Sequence, residues 1–277
     1  MDASVLGVHG IWNLESDLAP EEAAGARETD WHAALAAGYT DAGLGGPAPQ
    51  IAAVYYAHLL ATHSQGDDSL DHLTEKEREW AWAWMTQLGV PQEAHQGYGT
   101  WPIRQGLDWL AGKPRFPGRA TVARIMSAFL REVFVYTTRP AVRARVRQTV
   151  IDAVEKHRPT VLVAHSLGTV VTYEALHARP DLEVPLLVTL GSPLAMPEIV
   201  FETLDPEPVG GRGARPPGVG RWVNIADPGD IIAVPKELGG RFDVDLHSGT
   251  HIGVLQFHTM AAYLRSGLTA AAIAPYA

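Results

Sequence analysis

Residues 161–170 read VLVAHSLGTV. Val161, Leu162, Val163 and Ala164 suit a buried strand, His165 and Ser166 follow, and Leu167-Gly168-Thr169-Val170 has the composition to open a helix. A strand buried on both faces reads as a short unbroken apolar run, and a strand turning sharply into a helix is the repeating joint of a parallel sheet. Outward from this joint, short apolar runs at 4–8, 50–56, 160–164, 185–190, 221–226 and 241–246 predict strands. Longer amphipathic stretches predict helices over 141–157, 167–178 and 259–266. In the first helix Val142, Val146, Val150 and Val154 recur every fourth residue and form one apolar face. Arg158-Pro159 ends it, because the residue before a proline is pushed out of the helical region. The expected fold class is therefore α/β, a mostly parallel central sheet with helices on both faces.

The 277 residues, 46% hydrophobic and 19% charged, are the composition of a globular protein and point to one domain spanning 1–277. Two segments break the alternation. Residues 61–130 are too long for a simple crossover and hold five of the eight tryptophans, Trp80, Trp82, Trp84, Trp101 and Trp109. This stretch is expected to be a helical lid or cap insertion, with a capping box at Thr74 and Glu77 starting a helix that carries Trp80 and Trp84 on one face. Residues 205–220, DPEPVGGRGARPPGVG, are dense in proline and glycine and predict a mobile loop.

A net charge of -9, from 31 acidic against 22 basic residues, gives no electrostatic reason to bind nucleic acid or an anionic membrane surface. Arg139, Arg143, Arg145 and Arg147 read as a solvated helix face. With no cysteine, disulfides, thiolate metal sites and cysteine nucleophiles are excluded. No apolar window is long enough to span a membrane, and the N-terminus lacks the basic first region of a secretory signal, so a cytoplasmic location is expected. Twelve histidines contain no H-E-x-x-H, and His247 with His251 would need a helix where the chain reads as strand and loop, so neither metal nor other cofactor is called for.

A serine hydroxyl is a weak nucleophile until a base takes its proton, and acyl transfer also needs donors for the developing oxyanion. A sharp strand-to-helix turn exposes the hydroxyl and demands small residues two before and two after it, the G-x-S-x-G pattern. Here the positions are Ala164-His165-Ser166-Leu167-Gly168, with alanine in the first place. The backbone N–H of Leu167, directly after Ser166 at a helix N-terminus, is the first candidate oxyanion donor.

With these residues in view, the chain resembles the alpha/beta-hydrolase superfamily, and within it lipase- and esterase-like serine hydrolases with A-H-S-L-G or G-H-S-L-G elbows. VLGVHGIWN at 5–13 is similar to the family's first V-H-G turn, and VTLGSPL at 188–194 to the strand after the elbow helix. The resemblance implies that the second oxyanion donor is the N–H of Ile11, and that the chain order is serine, acid, histidine. Two carboxylates follow Ser166 in RWVNIADPGDIIAVP. Asp227 precedes Pro228-Gly229, where an aspartate commonly caps its own turn, whereas Asp230 resembles the lipase acid before an I-V-P or V-A run and is favoured. Of His247, His251 and His258, the last is favoured because HTMAAYL looks like the H-x-x-x-x-Y-L ending of related hydrolases; His251 is the alternative. His165, adjacent to the nucleophile on a tight bend, is expected to pack beside it rather than act as base.

The resemblance thus implies cleavage of a small-molecule or lipid-like carboxylic ester through an acyl-enzyme on Ser166, with His258 as base and Asp230 as its orienting acid. The same three residues serve an amidase, peptidase or thioesterase, because the pocket decides the substrate. A binding module that keeps the fold without turnover is the alternative from another class. Protein partners and oligomeric state have no signal in the sequence.

Overall fold

In a computed structural model, which describes residues 4–61, 73–91, 101–113, 118–253 and 258–277, the apolar runs assemble into a six-stranded, all-parallel sheet. Of the segment assigned to the insertion, 62–72, 92–100 and 114–117 lie outside the described residues, as do 254–257 ahead of His258 and the side chain of Trp101. The strands are β1 (Val5–Val8), β2 (Ile51–Val54), β3 (Val161–His165), β4 (Val184–Leu190), β5 (Val219–Ala226) and β6 (Leu246–Gly249). Their order across the sheet is β2-β1-β3-β4-β5-β6. The chain steps outward from β1 to β2 and then returns to lay β3 on the other side of β1. Such a reversal opens a crevice at the carboxyl ends of the two central strands, where ligands of open α/β sheets bind.

Alternation along each strand divides the core between the two faces. Leu6 and Val8, Leu162 and Ala164, and Leu187 point to one side, against the apolar residues of α6 (Pro140–His157) and α7 (Leu167–Ala178). Val5, Val161, Val163, Leu186 and Val188 point to the other, with α1 (Pro20–Asp41), α8 (Met260–Leu264) and α9 (Gly267–Ile273). In α6, Val142, Val146, Val150 and Val154 are buried as their spacing requires. Arg158 closes the helix in the left-handed region at φ 43°, out of the right-handed helix as Pro159 demands but not in extended conformation.

Between β2 and β3 run α2 (Ala57–Ala61), α3 (Glu75–Gln87), α4 (Trp101–Ala111), α5 (Arg119–Thr138) and α6. Thr74 Oγ1 accepts from the Glu77 N–H at 3.2 Å, and Glu77 accepts in return from the Thr74 N–H at 2.7 Å, the expected capping box. Trp80 and Trp84 are buried on one face of α3, and Trp82 and Trp109 pack against the same core.

Three expectations need correction, and one element carried no signal. The long α1 has no amphipathic signature in its sequence: its buried residues include Ala23, Ala34 and Gly38, too small to mark a stripe. The last strand lies at Leu246–Gly249 rather than 241–246, because Phe242 turns inward against Trp222, Phe201 and Tyr173 instead of joining the sheet. The segment 205–220 is tied down along its length: Arg147 pairs with Asp205 at 2.5 Å, Gly213 N–H donates to Arg241 O at 2.9 Å, and Arg215 reaches Asp245 at 2.7 Å. Arg143 is no solvated residue. Its guanidinium Nε donates to the buried Glu174 carboxylate at 2.8 Å, which also accepts from the Tyr136 hydroxyl at 2.6 Å.

Candidate active site

Ser166 stands where β3 meets α7, at the carboxyl end of the strand beside β1. Its backbone has φ 54° and ψ -130°, a conformation that costs a residue with a side chain of order 1–3 kcal/mol and persists only where its surroundings enforce it. Two of those surroundings are glycines. A Cβ on Gly168 would lie 2.3 Å from the His9 carbonyl, and one on Gly10 would lie 2.3 Å from Ser166 Cβ and 2.9 Å from its Oγ. Only glycine permits this approach, so the turn after β1 and the turn after β3 meet directly at the serine. The Ser166 N–H is anchored on Leu190 O at 3.0 Å, joining the turn to β4.

The Ser166 hydroxyl lies 2.8 Å from His258 Nε2, and His258 Nδ1–H donates to Asp230 Oδ2, also at 2.8 Å. Asp230 is fully buried, and each carboxylate oxygen is occupied. Oδ2 accepts a second bond from the Tyr263 hydroxyl at 2.7 Å, while Oδ1 accepts from the N–H groups of Ile232 and Ala233 at 2.9 and 3.4 Å. Burial alone would push this carboxyl up. The His258 charge and hydrogen bond, the Lys236 charge and the Tyr263 hydroxyl outweigh it and hold the group below the usual carboxylate range. A hydroxyl, an imidazole that can take its proton, and an ionised carboxylate facing the far ring nitrogen thus form one chain, with the geometry of a base-activated nucleophile.

The remaining candidates lie elsewhere. Asp227 accepts from the Gly229 N–H at 2.5 Å and from the Ile252 N–H at 2.6 Å, capping its own turn. His251 is exposed, and His247 Nδ1 meets the Asn224 amide at 2.8 Å within β6. His165 is buried beside the bend, its ring centroid 4.6 Å from that of His258. Burial holds it well below the ordinary histidine range, with the neighbouring His258 adding in the same direction, so it is neutral.

Comparison with protein-family models, curated proteins and solved structures finds no match for this chain. Among the described residues no group of three or more His, Asp or Glu is arranged to hold a metal ion, and no helix is long and apolar enough to cross a membrane.

The two candidate oxyanion donors belong to the two turns that meet at Ser166. Leu167 begins α7, where an N–H has no intrahelical acceptor, and Ile11 follows Gly10. Both residues are buried, and neither N–H has an acceptor among the described residues.

Two residues of the quoted family-like stretches, His9 of V-H-G and Tyr263 of HTMAAYL, take positions around the site that had no role assigned to them. His9 lies under the turn: its Nδ1–H donates to Gly10 O at 2.7 Å, Nε2 accepts from the Tyr56 N–H at 3.0 Å, and burial drives its pKa to about 3. Tyr263 donates to Asp230 and accepts from the Asp227 N–H at 2.9 Å. The helices between β2 and β3 touch the surroundings of the site. Trp84 Nε1 of α3 donates to Ile231 O at 2.7 Å, next to Asp230, and Glu132 of α5 accepts from the Trp12 N–H at 2.9 Å, next to Ile11.

Proposed function

We propose that this chain is a serine hydrolase of the alpha/beta-hydrolase type that cleaves a carboxylic ester through an acyl-enzyme on Ser166. The observation that carries the reading is the unbroken hydrogen-bond chain from Ser166 Oγ through His258 to Asp230, with the serine held in a strained bend at the carboxyl end of a central parallel strand. His258 takes the hydroxyl proton through Nε2 as Oγ attacks the ester carbonyl, and Asp230 stabilises the imidazolium through Nδ1–H. The negative charge that develops on the carbonyl oxygen falls to the N–H groups of Leu167 and Ile11. His258 then delivers the proton to the leaving alcohol, and a water that it deprotonates releases the acid.

The hydrogen bonds from Tyr263, Ile232 and Ala233 support this by keeping the buried Asp230 ionised without moving it off the ring. The helices between β2 and β3, in contact with the Asp230 loop and the turn after β1, are where a cap bearing substrate contacts would sit. Turnover of a panel of p-nitrophenyl esters by the wild type and by Ser166→Ala tests the proposal. Hydrolysis that falls by ~10⁴-fold or more in the variant is expected. Undiminished hydrolysis by Ser166→Ala contradicts it.

A further inference from the structure

The turn after β1 is fastened by side chains that take no part in the proposed reaction, and they act on the one N–H in it that the reaction needs. We infer that Asn13 is a positioning residue for the oxyanion site, tying back the two carbonyls on either side of Ile11 so that the Ile11 N–H faces Ser166. The inference rests on the hydrolase reading and extends it to a residue that neither motif nor spacing marks.

In a trans peptide the C=O and the N–H point in opposite directions, so fixing one aims the other. The carbonyl that shares a peptide with the Ile11 N–H is Gly10 O. It accepts from His9 Nδ1–H at 2.7 Å and from Asn13 Nδ2 at 3.2 Å. The N–H therefore points away from His9 and Asn13. The next peptide is held at both ends, Ile11 O accepting from the same Asn13 Nδ2 at 2.7 Å and the Trp12 N–H donating to Glu132 at 2.9 Å. Every polar group of these two peptides has a partner among the described residues except the N–H of Ile11, itself a buried residue. The close approach of Gly10 to Ser166 Cβ and Oγ sets this peptide against the nucleophile.

Such fastening has a reason in the backbone. Trp12 has φ 66°, a left-handed conformation that a residue with a bulky side chain rarely adopts. Without a clamp, the turn would relax toward ordinary φ by rotating the neighbouring peptides and carry the Ile11 N–H away from the serine. One amide donor bridging two successive carbonyls opposes that rotation, and the Arg124 guanidinium 4.6 Å from the Trp12 ring holds the side chain on α5.

The test uses Asn13→Ala and Asn13→Asp, the second of similar shape but with a carboxylate that cannot donate. Outright loss of an oxyanion donor costs ~10²–10³-fold in kcat. A misaimed one is expected to cost ~10–100-fold, with KM within about twofold of wild type. The affinity for a trifluoromethyl ketone, whose adduct oxygen occupies the oxyanion position, should fall by the same factor as kcat. A residue that merely stabilised the loop would lower the melting temperature without this parallel loss. Should Asn13→Ala not fold, Asn13→Ser, which keeps a short donor, is expected to lie between wild type and Asn13→Asp on both readings. The inference is overturned if folded Asn13 variants keep wild-type kcat and ketone affinity while Ser166→Ala is inactive. A wild type that neither hydrolyses esters nor binds the ketone overturns the hydrolase reading, and this inference with it.

Discussion

At Asp230 four hydrogen bonds converge on one buried carboxylate, and they divide into two kinds. The N–H groups of Ile232 and Ala233 hold Oδ1 and are insensitive to side-chain substitution, whereas His258 and Tyr263 share Oδ2. Asp230→Asn replaces an acceptor with an amide that cannot hold His258 in the tautomer needed to take the serine proton. We expect kcat to fall by about 10³–10⁴-fold with KM little changed, read from steady-state ester hydrolysis. Tyr263→Phe removes one bond to the carboxylate and leaves the Asp227 N–H without its acceptor. Loss of about 1–3 kcal/mol of stability should follow, measured by the denaturant midpoint, together with a smaller fall in kcat than for Asp230→Asn. Ser166 was marked by the strand-to-helix bend and Asp227 by its turn dipeptide, whereas Asp230 and His258 were singled out by the family resemblance of the stretches that carry them, and the structure brings Ser166, Asp230 and His258 into one hydrogen-bonded chain. His9 and Tyr263 stood in the quoted V-H-G and H-x-x-x-x-Y-L stretches, but their bonds, like that of Asn13, run from a side chain to a neighbour's backbone or carboxylate, and no spacing announces such a bond.

Elements explain why the same sequence could be read well in one place and poorly in another. β3, Ser166 and α7 form a buried apolar run followed by a helix, and burial on both faces leaves no competing arrangement. β6 could not be placed from its residues because the alternation of Phe242, Val244 and Leu246 suits a strand, yet Phe242 gains more by joining the cluster of Trp222, Tyr173 and Phe201. α1 was hidden by its small buried residues. The contacts between elements are testable in the same terms. Gly168→Ala drives a methyl group to 2.3 Å from the His9 carbonyl, a backbone atom that cannot swing aside. We expect at least the ~1–3 kcal/mol of an overpacked core and a loss of ester turnover as α7 and the β1 turn separate. Trp84→Phe leaves Ile231 O without its donor and should cost about 1–3 kcal/mol. Because Ile231 adjoins Asp230, its kcat should fall as well, unlike that of a substitution at Trp82 on the same helix.

For the molecule as a whole, the buried histidines set how it responds to acid. His9 is neutral in the fold, with its pKa driven to about 3 by burial, and His165 is also held well below the ordinary value near 6.5. Between those limits the unfolded chain binds protons that the folded chain refuses. Stability is therefore fully present above about pH 6.5 and is lost as the pH falls from there toward 3. At ~1.4 kcal/mol per pH unit for each such group, His9 alone accounts for several kcal/mol. Urea midpoints measured from pH 8 to pH 4 should be flat above pH 7 and fall below 6.5, before the ordinary carboxylate range is reached. The contribution of the Asp230 carboxyl, held below its usual value, is lost only at still lower pH. The same burial that makes His9 acid-labile keeps its Nδ1–H on Gly10 O, and with it the turn after β1, at neutral pH.

The central claim, that Ser166 is a nucleophile activated by His258, is tested most directly by mapping the site of a fluorophosphonate adduct. After reaction at neutral pH, peptide mass spectrometry of the wild type should place one adduct on Ser166, with His258→Ala labelled orders of magnitude more slowly. A folded wild type that takes up no label, or takes it up elsewhere while Ser166 stays unmodified, would contradict the account.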